Sequence, residues 1–268
     1  IEKVIASKNP GLLKAMPGFL RRYIKRTIHQ DEINGFLSNH ADKYGIDFAR
    51  AILQEFKISY QVKGLENIAP DKRYIFAANH PQGAFDSMCL VDIVTKQAGE
   101  VRFMVNDVLL NLKNFDPLFV PINAYGAQGK ETAKKLEETW AGPYNILYYP
   151  SGLVSRKVKG KIVDLEWKKT VITKSIKHQR EIVPVYINAR NSNFFYRLAN
   201  FRKFLRIKAN IEMFYLPNEM YKQKNKEYQV IIGNPIHWSK FEPPFSHLYW
   251  ASWLRGKVYE LSLQVNNI

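Results

Sequence analysis

The residues best suited to chemistry form one short stretch, Asn79-His80-Pro81-Gln82-Gly83-Ala84-Phe85-Asp86. Ahead of it, Tyr74–Ala78 reads as a buried strand. Behind it, Phe85, Met88, Cys89 and Ile93 recur at helical spacing up to Val94. His80 therefore stands where a strand ends in a Pro/Gly turn, and Asp86 lies in the first turn of the next helix. Open α/β sheets bind their ligands at that carboxyl edge. A neutral imidazole fixed in one tautomer by a carboxylate can take a proton from an alcohol, the work of a general base. The same residues also suit a plain turn, with Pro81 and Gly83 as turn formers and Asp86 complementing the helix dipole.

The elements that must position them follow from the rest of the pattern. Strands are predicted at Ile58–Val62, Tyr74–Ala78, Val101–Val105, Leu118–Ile122, Ile146–Tyr149, Ile182–Ile187, Ile207–Phe214 and Tyr228–Ile232. Helical patterns lie between several of them, at Phe85–Val94, Asp107–Leu112, Glu131–Trp140 and Lys168–Lys177, and Phe245–Leu263 reads as a terminal helix. Such alternation predicts an α/β fold, a mixed, mainly parallel sheet with helices on both faces. Residues 1–56 are helical in pattern and form a separate N-terminal segment, with the α/β domain over residues 57–268.

Within that segment, Phe19, Leu20, Tyr23, Ile24 and Ile28 make an apolar stripe, with Arg21, Arg22, Lys25 and Arg26 on the other side. A basic amphipathic helix suits a membrane surface, apolar face toward the acyl boundary and cations toward anionic headgroups. It equally suits a helix packed on the body of the protein. Ile33–Phe56 is expected to fold back as one further helical run. Phe194–Lys208 mixes aromatics with cations and fits a second membrane contact, a base-stacking surface or an ordinary packed helix.

Composition narrows the partners. The 268 residues carry 40 Lys+Arg against 24 Asp+Glu, a net charge of +16, with 46% hydrophobic residues to build a core. That charge favours a polyanion, whether nucleic acid, anionic membrane or acidic protein. The single cysteine, Cys89, excludes an intrachain disulfide and a cysteine-built zinc site, which points to a reducing compartment. No run approaches the roughly 18 consecutive apolar residues of a membrane span, so action on lipid would be peripheral. The first residue is isoleucine and leaves the true start open. The remaining histidines show no metal-ligand spacing, and no metal or cofactor is expected.

Four segments in order resemble the glycerolipid acyltransferases that acylate lysophosphatidate. Asn79, His80 and Asp86 resemble that family's first block, and Pro117-Leu118-Phe119-Val120-Pro121-Ile122-Asn123 its aromatic-led strand. Tyr149-Pro150-Ser151-Gly152 with Ser155 and Arg156 resembles its Pro-Glu-Gly turn, and Ile182-Val183-Pro184-Val185 its fourth, apolar block. The likeness runs from about Lys57 to Asn188. Five residues, Pro81 to Phe85, separate the His from the Asp, where most of the family has four. That His-Pro-x-Gly form is similar to a hemolysin-like, ornithine- or glycine-lipid branch. Asn123 stands near the place of the family's arginine, with Gln128 and Lys130 downstream, and Ser151 replaces its glutamate.

The resemblance implies acyl transfer from a thioester, on acyl carrier protein or coenzyme A, to the hydroxyl of a lyso-lipid. His80 would be the base and Asp86 its orienting partner. Asn79, Gly83, Asn123, Lys130, Pro150, Ser151, Gly152, Ser155 and Arg156 would line the substrate site. Backbone N–H groups at the Pro150–Gly152 turn are candidate oxyanion donors, and Arg156, Lys157, Lys159 and Lys161 could grip an anionic group. With the arginine and glutamate gone, a lyso-lipid carrying an amino-acid headgroup is preferred over lysophosphatidate. The enzyme is expected on the cytoplasmic face of the inner membrane, against anionic lipid. Two rival readings remain at this stage: a basic nucleic-acid-binding protein, which lacks a magnesium-binding carboxylate cluster or RNA motif, and a non-catalytic lipid-surface protein, which leaves the His turn unexplained.

Overall fold

The computed structural model describes residues 11, 16–106, 112–122 and 130–267. Their chain divides into two compact units, one of residues 43–191 and 224–268 and a smaller one of residues 1–42 and 192–223.

The larger unit is built on a seven-stranded sheet. Its strands are β1 (Ser59–Lys63), β2 (Tyr74–Ala78), β3 (Val101–Asn106), β4 (Phe119–Ile122), β5 (Asn145–Tyr148), β8 (Glu181–Asn188) and β9 (Glu227–Ile232), in the order β1-β9-β8-β2-β5-β3-β4. Neighbours run parallel except β8 and β9, which are antiparallel. The intervening β6 (Arg156–Val158) and β7 (Lys161–Val163) form a separate antiparallel hairpin. β2 and β5 are buried along their whole length, as strands between two helical layers are.

One layer is α3 (Gly45–Glu55) and α4 (Phe85–Ala98), which pack on each other. Phe85 of α4 sets its ring against Phe56 and Tyr228. On the other face, Ile75, Ala77, Ile146 and Tyr148 join one apolar cluster with residues of α5 (Lys130–Ala141), α6 (Thr170–His178) and α9 (His247–Glu260). The mixed, mainly parallel sheet covered on both faces is thus the fold expected from the sequence.

The smaller unit holds α1 (Gly18–Thr27), α2 (Gln30–Asn39), α7 (Asn193–Phe204) and α8 (Leu216–Tyr221). His29 stacks on Tyr221 at 3.9 Å between centroids, and the Tyr23 and Tyr215 hydroxyls share a 2.7 Å hydrogen bond.

Three expectations need correction. The run Ile33–Phe56 is two helices, because residues 39–43 (Asn-His-Ala-Asp-Lys) supply no apolar stripe to continue α2. α3 belongs to the α/β unit and buries Phe48, Ala49, Ile52 and Leu53 there, so the division lies near residue 42 rather than 56, and residues 192–223 are grouped with the N-terminal helices. Ile207–Phe214 is not a strand. Glu212, fully buried, pairs with Arg202 of α7 at 2.8 Å, and the same guanidinium donates to the Ile207 carbonyl. That pull folds the segment back, and Ile211–Tyr215 becomes a 3-10 turn. The helix expected at Asp107–Leu112 lies, but for Leu112, outside the described residues.

Candidate active site

β2, β5 and β8 run parallel, so their carboxyl ends open on one edge of the sheet. His80 leaves the end of β2 there and Tyr149 the end of β5. The two rings stack, with centroids 4.1 Å apart and planes 25° from parallel. The Asn79 amide accepts from the Ile187 N–H at 2.7 Å and donates to the Ile187 carbonyl at 3.0 Å. It is buried and spends both ends on clasping β2 to β8, so the structure gives it a tying role and places no side-chain atom of it on the open face.

Residues 81–84 then turn tightly enough for Asp86 to look back at His80. Gly83 takes φ 106°, a conformation open to glycine. Its N–H and that of Gln82 both donate to the Asp86 carboxylate at 3.0 Å, and the Gln82 side chain caps α4 by accepting from Ala84 and Phe85 N–H at 2.9 Å. His80 Nδ1 lies 3.0 Å from Asp86 Oδ2. Because the carboxylate accepts, Nδ1 carries a proton, and in the neutral imidazole this leaves the lone pair on Nε2. Asp86 is fully buried, and His80 is 15% exposed. Burial alone would push the Asp86 carboxyl up, yet the attraction of a protonated His80, the His80 N–H and the two backbone amides outweigh that and hold it below the ordinary aspartate value. Burial, with the nearby Asp86 charge, drives the Tyr149 phenol well up, so a neutral ring faces the imidazole.

A second carboxylate, which the sequence pattern did not single out, fixes the histidine's backbone. Asp164, just after β7, accepts from His80 N–H at 3.1 Å, Ser155 Oγ at 2.6 Å and Trp167 Nε1 at 2.9 Å. The Ser155 N–H also donates to the His80 carbonyl at 2.7 Å. α9 holds Asp164 from behind, with Tyr259 Oη accepting its N–H and Arg255 donating to its carbonyl, both at 2.7 Å. Burial pushes the Asp164 carboxyl above its ordinary value despite these donors. The signal in the sequence, an Asp between Val163 and Leu165, names no partner until the hairpin closes.

The Tyr149–Gly152 turn sits beside the histidine, as expected, but its groups are engaged. Gly152 N–H closes the turn on the Tyr149 carbonyl at 3.0 Å, so it is not a free oxyanion donor, and the Pro150 carbonyl accepts from Lys168 N–H at 3.0 Å. Ser151 Oγ donates to the Leu153 carbonyl at 2.8 Å. Arg156, a candidate grip for an anionic group, starts β6 and is buried, and its Nη1 donates to the Val154 carbonyl at 2.5 Å. Lys157, Lys159 and Lys161 lie on the hairpin. Asn123 and Gln128 lie outside the described residues, and of Lys130 the structure describes the backbone at the start of α5. Phe19, Arg22 and Arg26 of α1 are exposed, while Arg21 and Lys25 are half-buried and Arg21 Nε donates to the Met16 carbonyl at 3.0 Å.

A histidine with a buried carboxylate partner at a sheet edge fits acyl transfer, and the comparisons decide the family. The acyltransferase family model matches residues 3–266. The chain belongs to the acyltransferase family. It is 42% identical over 262 residues to the lyso-glycine lipid O-acyltransferase of Bacteroides thetaiotaomicron, covering 97% of this chain and 96% of that protein. The protein of the same name from Phocaeicola vulgatus is likewise 42% identical over 262 residues, with 97% and 94% covered. Among solved structures, the 1-acyl-sn-glycerophosphate (LPA) acyltransferase PlsC of Thermotoga maritima aligns at TM-score 0.48 and 16% identity, with 92% of this acyltransferase and 98% of PlsC covered. The family model and the two relatives bear out the expectation of a lipid acyltransferase. No helix among the described residues is long and apolar enough to cross a membrane.

Proposed function

We propose that this acyltransferase moves a fatty acyl group from an acyl carrier protein or coenzyme A thioester to the hydroxyl of a lyso-lipid with an amino-acid headgroup. The observation that carries the reading is His80, its Nδ1–H held by buried Asp86 and its side chain still 15% exposed. The acceptor hydroxyl gives its proton to Nε2 as its oxygen attacks the thioester carbonyl carbon. The carbonyl electron pair moves onto oxygen, the tetrahedral species collapses, and the thiolate leaves with the proton from Nε2. Asp86 stabilises the imidazolium that exists between the two transfers.

Ser151 and Asn123, in place of the family's glutamate and arginine, argue against a phosphate clamp. The two relatives named for lyso-glycine lipid favour a glycine-type headgroup over lysophosphatidate. The net charge of +16 suits work on an anionic membrane surface, and the cytoplasmic face is where thioester donors are made. The test is purified protein with each donor and a panel of lyso-lipids at equal concentration, read by mass spectrometry. Preference for the glycine-headgroup acceptor is expected. Strong preference for lysophosphatidate would refute the acceptor assignment, and no acylated product from any acceptor would refute the activity.

A further inference from the structure

We infer that the segment 192–223, inserted between β8 and β9, is a second membrane-docking element whose occupant is an anionic lipid bilayer. α7 is apolar on two opposite faces. One buries Phe195, Tyr196 and Ala199. The other leaves Phe194 48%, Phe201 58% and Leu205 49% exposed along a single line, with Phe204 81% exposed beside it. A soluble helix normally turns its second face polar, so this face is built to be covered.

Charge identifies the cover. Residues 193–211 contain Arg197, Arg202, Lys203, Arg206 and Lys208 and no acidic residue. Arg202 is neutralised by Glu212, and the other four stand exposed. A second copy of the chain would set these cations against their own kind. RNA would answer the charge but not Leu205 and Ile207, which offer no ring for a base to stack on. A bilayer with anionic headgroups answers both features, since cations meet phosphates while rings and aliphatics enter the acyl boundary. The insert and α1 belong to one compact unit, joined by the Tyr23–Tyr215 hydrogen bond. More than half of the large apolar side chains exposed among the described residues fall in that unit.

The experiment uses the whole chain, with α1 intact, and co-sedimentation with vesicles of phosphatidylcholine alone or mixed with phosphatidylglycerol. The variant F201S/F204S/L205S should bind both vesicle types about tenfold or more weakly. R197S/K203S/R206S/K208S should lose affinity for the anionic vesicles and most of the salt dependence. All seven side chains are exposed, so melting curves should be unchanged, and that measurement guards against misfolding. Wild-type binding by both variants would overturn the inference and leave docking to α1. So would a dimer in solution that the apolar variant dissociates without altering vesicle binding, or RNA binding that the charge variant abolishes while vesicle binding persists.

Discussion

Asp86 gathers donors from His80 Nδ1, Gln82 N, Gly83 N and Ser87 N on two buried oxygens. Asp86→Asn points an amide NH₂ at one of those donors, so it should lower stability by about 2 kcal/mol as well as activity. The pH dependence has a definite sign. Asp86 is held below its ordinary value, so its contribution is present above the unfolded value and lost as pH falls through the folded one. Asp164 is raised, so its contribution is present at acid pH and lost as pH rises. Urea unfolding from about pH 3.5 to 7 should therefore show the Asp86→Asn deficit growing with pH and the Asp164→Asn deficit shrinking. Parallel curves for the two variants would refute these assignments. Asp164→Ala, which orphans the His80 amide, Ser155 and Trp167, should cost about 3 kcal/mol in the same experiment.

Elements were legible where one local pattern decided them. β2, the turn at Pro81–Gly83 and α4 announce themselves by a buried strand, turn residues and helical spacing, and the His80–Asp86 pair followed from their order. The β6–β7 hairpin was not legible, because three-residue strands around Lys159-Gly160 carry no periodicity. Asp164, whose partners flank that hairpin at Ser155 and Trp167 or come from the turn after β2 and from α9, went unseen with it. The misread strand at Ile207–Phe214 alternates well in sequence and was overruled by the buried Arg202–Glu212 pair. The junction of β1 with β9 supplies a prediction of its own. Gly64 has φ 88°, and a Cβ there would lie 2.0 Å from the Ile232 carbonyl oxygen. Gly64→Ala should thus cost about 3 kcal/mol or prevent folding, measured by thermal melting, and an unchanged melt would contradict the close approach of β9.

For the whole molecule, a net charge of +16 and a small unit rich in exposed cations and apolar side chains set the setting for catalysis. Reversing Arg21, Arg22, Lys25 and Arg26 should weaken binding to anionic vesicles, and raising salt should weaken the wild type in the same direction. Salt-insensitive binding would leave apolar insertion alone. Fold and family were legible at this scale from the strand–helix alternation and the four segments; the grouping of 192–223 with the N-terminal helices was not, since nothing in a linear pattern tells which distant helices meet. Catalysis on this reading rests on His80 as the base. The direct measurement is kcat/KM for acyl transfer by His80→Ala beside wild type, with melting curves for both. The expected loss is about 10³-fold or more, with a melt that stays cooperative though lowered by the lost hydrogen bond to buried Asp86. Turnover within tenfold of wild type would contradict it.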